Sequence, residues 1–178
     1  MIANQCQCRG YRVSPLSTND VRGIASAFLE VIGDFFPNVD KITENLLQAG
    51  LLHIVADNEP GWRNGVEGFF SSNQRCIVMR DSDYIGCLEG TNPRALFTLA
   101  HELGHLVLSH ERTFNREEIV GHKYYEDSEW QADTFAAELL MPLSVIEQEN
   151  LRTPWELKKR FGVSYEAAEI RLMKLKRI

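Results

Sequence analysis

Residues 97–110 read FTLAHELGHLVLSH. Leu96, Phe97, Leu99, Ala100, Leu103, Leu106, Val107 and Leu108 cover nearly every side of a helix here, the mark of a buried helix. Into that surface the chain sets His101, Glu102 and His105. Burying such groups unpaired costs roughly 2–7 kcal/mol each. Coordination of a metal removes most of that cost, so HELGH predicts a metal site rather than a chance string on a solvated helix. Residues four apart share a helix face, so His101 and His105 can reach one ion. Glu102, beside the first histidine, is placed to meet a metal-bound water instead of the metal.

A catalytic zinc site has three protein ligands and a water, so a third ligand must come from elsewhere. His110 lies about 500° around the helix from His105 and is predicted to point away. The six-residue spacing of a third metzincin histidine is missing. His122 falls in a loop, and Glu126 and Asp127 fall before or in the first turn of the next helix. In EWQADTFAAELLMP (129–142), Glu129, Ala132, Asp133, Ala136 and Leu140 share one face. The alanines allow close approach to the first helix. Of Glu129 and Asp133, four apart, one can bind zinc while the other orients a ligand histidine through its free N–H.

Around these two segments the chain is ordinary for a globular domain. It has 178 residues, 44% hydrophobic, long enough to bury a core without disulfides. Cys6, Cys8, Cys76 and Cys87 form no CxxC pair, so reduced thiols are expected. No apolar h-region opens the chain and no window nears the ~18 apolar residues of a membrane span. A cytoplasmic protein without membrane contact is therefore expected. The net charge of −6 argues against general nucleic-acid binding. Charge is uneven, though: residues 151–178 hold eight Lys/Arg and three Asp/Glu, leaving a net −11 for the rest.

Periodicity predicts helices over 19–33, capped by Asn19 or Asp20, and over 39–49. Strands are expected at 51–57, 65–71 and 75–81, as a small meander. Residues 81–92 read as a loop. Asn92 caps the HELGH helix with Pro93 at its first position. A polar loop at 111–128 leads to a helix over 127–141, stopped by Pro142. Thr153-Pro154-Trp155-Glu156 forms a capping box. A break at Gly162 and a cap at Ser164 then predict a helical hairpin. Its Leu157, Phe161, Val163, Ile170, Leu172 and Leu175 are expected to pack on the body, in preference to DNA binding by this basic tail. The fold class is α+β, with a three-stranded antiparallel or mixed sheet. The expected division is 1–150 for the metal-binding domain and 151–178 for the hairpin.

FTLAHELGHLVLSH followed by EWQADTFAAELLMP resembles the ImmA/IrrE family of metallopeptidases. The likeness extends over residues 65–178 and includes the tail RFGVSYEAAEIRL. It implies a zincin-like fold and a gluzincin-type site, with one Zn2+ on His101, His105 and Glu129. Glu102 is then the general base and acid, and Asp133 orients a ligand. Tyr124, Tyr125, His122 and His110 are the available donors for the oxyanion. The strand at 75–81 is a candidate edge for an extended substrate. The resemblance also implies a helix-turn-helix regulator of the XRE type as substrate, or as antitoxin to a toxin that binds a cellular target. A thiolate of Cys6 or Cys8 capping the zinc is a further reading, against the simpler one of free thiols.

Overall fold

The computed structural model describes residues 9–34, 37–110 and 122–176. Helices α1 (Thr18–Val31) and α2 (Val39–Gln48) lead into β1 (Leu52–Val55), β2 (Gly68–Ser71) and β3 (Cys76–Arg80). Then come α3 (Asp81–Leu88), α4 (Pro93–Val107), a 3-10 turn (Tyr124–Glu126) and α5 (Ser128–Leu140). Three helices finish the chain: α6 (Leu143–Gln148), α7 (Pro154–Phe161) and α8 (Tyr165–Leu175). The mixed α+β class is as expected. Among the described residues no helix is long and apolar enough to cross a membrane. Cys6 and Cys8 lie outside the described residues, while Cys76 and Cys87 are buried free thiols.

The sheet is not a meander. β3 lies between the other two strands, antiparallel to β2 and parallel to β1. The short turn after Ser71 enforces the antiparallel pair, whereas residues 56–67 are long enough to carry the chain across to the far side of β3. A central strand is covered on both faces, and Cys76, Ile77, Val78 and Met79 are accordingly all buried. β3 therefore offers no edge to a substrate, contrary to the sequence expectation.

Residues 81–88 form a helix where a loop was expected. Asp81 and Asp83 sit in its first turn, where the helix dipole favours acid. Asp83 also accepts hydrogen bonds from Arg80 Nε and Asn92 Nδ2. This helix is short and the apolar side chains it packs inward are only Tyr84 and Cys87, too few for a visible period. The cap of α1 is Ser17, which pairs with Asp20 in a capping box, two or three residues earlier than predicted. The caps at Asn92, Thr153 and Ser164 are as expected. Pro142 ends α5 and also caps α6, which the sequence did not suggest.

α4 and α5 cross closely. A Cβ at Gly104 would stand 3.1 Å from Ala132 Cα, 3.2 Å from Ala132 O and 3.3 Å from Phe135 Cβ. Two of these neighbours are backbone atoms and cannot turn aside. Gly104→Ala gains up to ~1 kcal/mol in helix propensity but overpacks at a cost of roughly 1–3 kcal/mol. A net loss of stability is expected in urea titration, together with weaker metal binding, because the two helices carry the candidate ligands.

The C-terminal hairpin is tied to this pair of helices. Leu157, Phe161, Val163 and Leu172 are buried and Leu175 is partly so. Ile170 is 41% exposed, so it does not pack as expected. Arg171 of α8 instead reaches inward to Glu138 of α5, with 2.7 and 2.6 Å bonds to its two oxygens, and to Met141 O. Arg22 of α1 donates to the same carboxylate at 3.0 and 3.1 Å.

Candidate metal centre

Three side chains converge where α4 meets α5. His101 Nε2 and His105 Nε2 are 3.1 Å apart. Glu129, in the first turn of α5, sets Oε2 3.3 Å from His101 Nε2 and Oε1 3.4 Å from His105 Nε2. Atoms held about 2.0–2.1 Å from one tetrahedral centre stand about 3.3–3.4 Å from each other. Two imidazoles and a carboxylate at these spacings can hold a metal ion. His101, His105 and Glu129 are the residues expected from the sequence to converge.

The remaining groups hold this cluster in place. Asp133, one turn beyond Glu129, accepts from His101 Nδ1 at 2.9 Å, leaving Nε2 turned to the cluster. Arg9 makes an ion pair with the other oxygen of Asp133. Glu102 Oε2 accepts from the backbone N–H of Phe70 at 2.8 Å, which anchors it against β2.

Burial opposes a charge on His101, yet hydrogen bonds to Asp133 and Glu129 outweigh it and raise its pKa to about 10. For His105, burial and the charge of His101 act together and lower the pKa to about 4. Glu129 is held below the usual carboxylate range, chiefly by its hydrogen bond to His101. Burial works against ionisation of Asp133, but His101 and Arg9 prevail and lower its pKa. Glu102 goes the other way, since burial outweighs the nearby His101 and raises its pKa.

None of the four oxyanion candidates is among the three converging ligands. His110 lies behind His105, with its Nδ1 2.9 Å from His105 Nδ1 and its Nε2 2.9 Å from Gln131 Oε1. Burial pushes its pKa down. His122 Nε2 lies 3.0 Å from Oδ2 of Asp127, the cap of α5. Tyr124 packs edge-on against Tyr125 and Trp130. These three rings line a surface cleft with Pro15 and Leu16.

Sequence reasoning missed the segment at 9–16. It runs as a strap along the 3-10 turn and the start of α5, where Gly10 N–H donates to Asp127 and Tyr11 N–H to Ser128 Oγ. Val13 N–H donates to Glu126 O, and Leu16 N–H to Tyr125 O. Such backbone pairing carries no side-chain period. Gln131 was missed as well, since a polar residue facing inward on α5 has no meaning until its neighbours are known.

Residues 90–173 match the family model of the IrrE N-terminal-like domain, peptidase M78. Among curated proteins, no sequence matches the chain. A solved structure described as a Mycobacterium tuberculosis transcriptional regulator has a similar fold, with a TM-score of 0.51 at 13% identity. The alignment covers 85% of this chain and 47% of that one, so the chain spans about half the length of that structure. The matched residues run from just before α4 into α8 and include His101, Glu102, His105, Glu129 and Asp133; over them the chain is similar to the IrrE N-terminal-like, peptidase M78 domain.

Proposed function

We propose that the protein is a zinc metallo-endopeptidase. The observation that carries this is the convergence of His101, His105 and Glu129 with Glu102 poised beside them. Two imidazoles and a carboxylate are the protein donor set of a catalytic zinc site, whose fourth position takes a water. When bound, zinc supplies a Lewis acid that activates water and polarises the scissile carbonyl. Glu102 takes the proton of the attacking water and returns it to the leaving amine. Burial raises the pKa of this carboxyl above its ordinary value, which helps it to hold a proton between the two transfers. Asp133 and Arg9 keep His101 oriented. β2 is the strand beside Glu102, and among the described residues its only strand partner is β3. An extended peptide lies along its outer side.

His101 and His105, with pKa values of about 10 and about 4, together carry one proton beyond their neutral forms at neutral pH. A dication takes the place of that proton. Uptake of zinc at pH 7 is therefore expected to release about one proton per site, and affinity to fall about tenfold per unit of acidification. Calorimetry in buffers of different ionisation enthalpy measures the proton count.

The substrate we propose is a helix-turn-helix regulator of the XRE type, in the cytoplasm. The acidic body of the chain favours a basic, DNA-binding partner. Purified protein, zinc and a candidate regulator should yield a discrete cut that chelation abolishes. No cut with any such regulator, alongside full zinc loading, would count against this substrate class.

A further inference from the structure

Gln131 sits behind the metal cluster, two residues after Glu129 and so on another side of α5. Its Nε2 is 2.8 Å from Ser14 O and 2.9 Å from Tyr125 O. Carbonyl oxygens only accept, so this end of the amide must be the NH2, and both of its protons are used. The other end, Oε1, can then only accept. It lies 2.9 Å from His110 Nε2, so that nitrogen carries the proton. A neutral imidazole has one N–H. His110 Nδ1 is therefore a lone pair, and it faces His105 Nδ1 at 2.9 Å. His105 must donate from Nδ1, which leaves its Nε2 lone pair for the cluster. The hydroxyl of Tyr11 donates to His110 O at 2.6 Å and helps to fix that backbone. Gln131 is 1% exposed and His110 2%, so water does not compete for these bonds.

The geometry points to a neutral relay, Ser14/Tyr125 carbonyls–Gln131–His110, that sets the tautomer of His105 and holds its Nε2 ready for the metal. His110 and Gln131 are thus positioning residues acting through His105. The two histidines of HELGH are oriented by different means. Asp133 serves His101 with a carboxylate. The relay serves His105 without a further negative charge, in a site already holding Glu102, Glu129 and Asp133. Its direction originates in backbone carbonyls of the strap and the 3-10 turn, so the segment before α1 becomes part of the site's design.

This inference rests on the metal-site reading, and the two can be tested apart. Zinc affinity is measured by competition with a chromophoric chelator, and the tautomer of His105 by 15N NMR of the zinc-stripped chain. We expect His105 protonated at Nδ1. His110→Leu should weaken zinc binding by roughly 10–100-fold, the usual effect of losing an outer partner of a ligand. His110→Asn, which can offer an amide oxygen at the acceptor position, should restore most of that loss, whereas a merely space-filling role predicts no such rescue. Gln131→Met, which leaves His105 and His110 in place, should also weaken binding and lower the Nδ1–H population of His105. It carries the test if His110→Leu does not fold. Zinc binding unchanged in folded His110→Leu or Gln131→Met overturns the relay, as does an Nε2–H tautomer in the unaltered chain. Failure of the unaltered chain to bind zinc sinks the metal-site reading instead, and the tautomer measurement then decides the relay alone.

Discussion

Glu102→Gln is expected to leave one zinc per chain while lowering peptide hydrolysis by roughly 10²–10⁴-fold, the usual worth of general acid–base catalysis. The two halves of this result have separate physical origins. Glu102 is not among the three converging ligands. Glutamine is isosteric and its amide oxygen can still accept from Phe70 N–H, now 2.8 Å from Glu102 Oε2, so the fold has no reason to shift. An amide cannot take the proton of water, however, and hydrolysis loses its base. Metal analysis alongside a cleavage assay makes the test. Parallel loss of zinc would assign Glu102 to the metal, and full activity would remove it from the mechanism. A biological effect that survives the substitution would favour a protein acting by binding its target.

Glu138→Ala should be the most destabilising single change in the helical body, costing roughly 3–5 kcal/mol. Glu138 is 3% exposed and accepts from both Arg22 and Arg171. Removing it leaves Arg171, itself buried, with an uncompensated charge between α5 and α8. For a chain of this size the loss should lower Tm by roughly 10 °C or more. A pH signature goes with it. Burial opposes ionisation of Glu138, but the hydrogen bonds from Arg171 and Arg22 lower its pKa below the ordinary value of 4.5. A lowered carboxyl pKa stabilises above the unfolded-state value and is lost as pH falls through the folded one. The unaltered protein should therefore lose more stability than Glu138→Ala on acidification below about pH 4.5. Thermal melts at pH 7 and pH 4 compare the two. Equal melting points at pH 7 would show that the buried ion pair adds nothing over an apolar contact.

Neither the strap nor the sheet order could be read from residue types. The hairpin residue Arg171 looks like any surface arginine on a basic helix, and only its opposition to Glu138 shows it to be an inward tie. His110 illustrates the limit more sharply. Helical projection turned it away from the ligand face, but α4 ends at Val107, so projection could not say where His110 goes or what it meets. The chain leaves α4 near Ser109, which has a positive φ of 54°, and His110 then folds back beneath His105. Such a turn depends on packing, not on period. Gly104 likewise reads as a helix weakener until α5 is seen against it.

What the sequence alone determined was local and periodic. The four-residue spacing in HELGH aligned two imidazoles, apolar residues around them demanded burial, and the spacing of Glu129 and Asp133 put two carboxylates on one face. Caps at Asn92, Thr153 and Ser164 followed from the same short-range chemistry. The tertiary structure alone decided which groups meet across distance. It brought Glu102 against β2, put β3 in the centre of the sheet, and closed Gln131 onto carbonyls of Ser14 and Tyr125. Local spacing is written in the chain because a helix repeats. Donor and acceptor partners more than a hundred residues apart are set only when the packed core brings their backbones together.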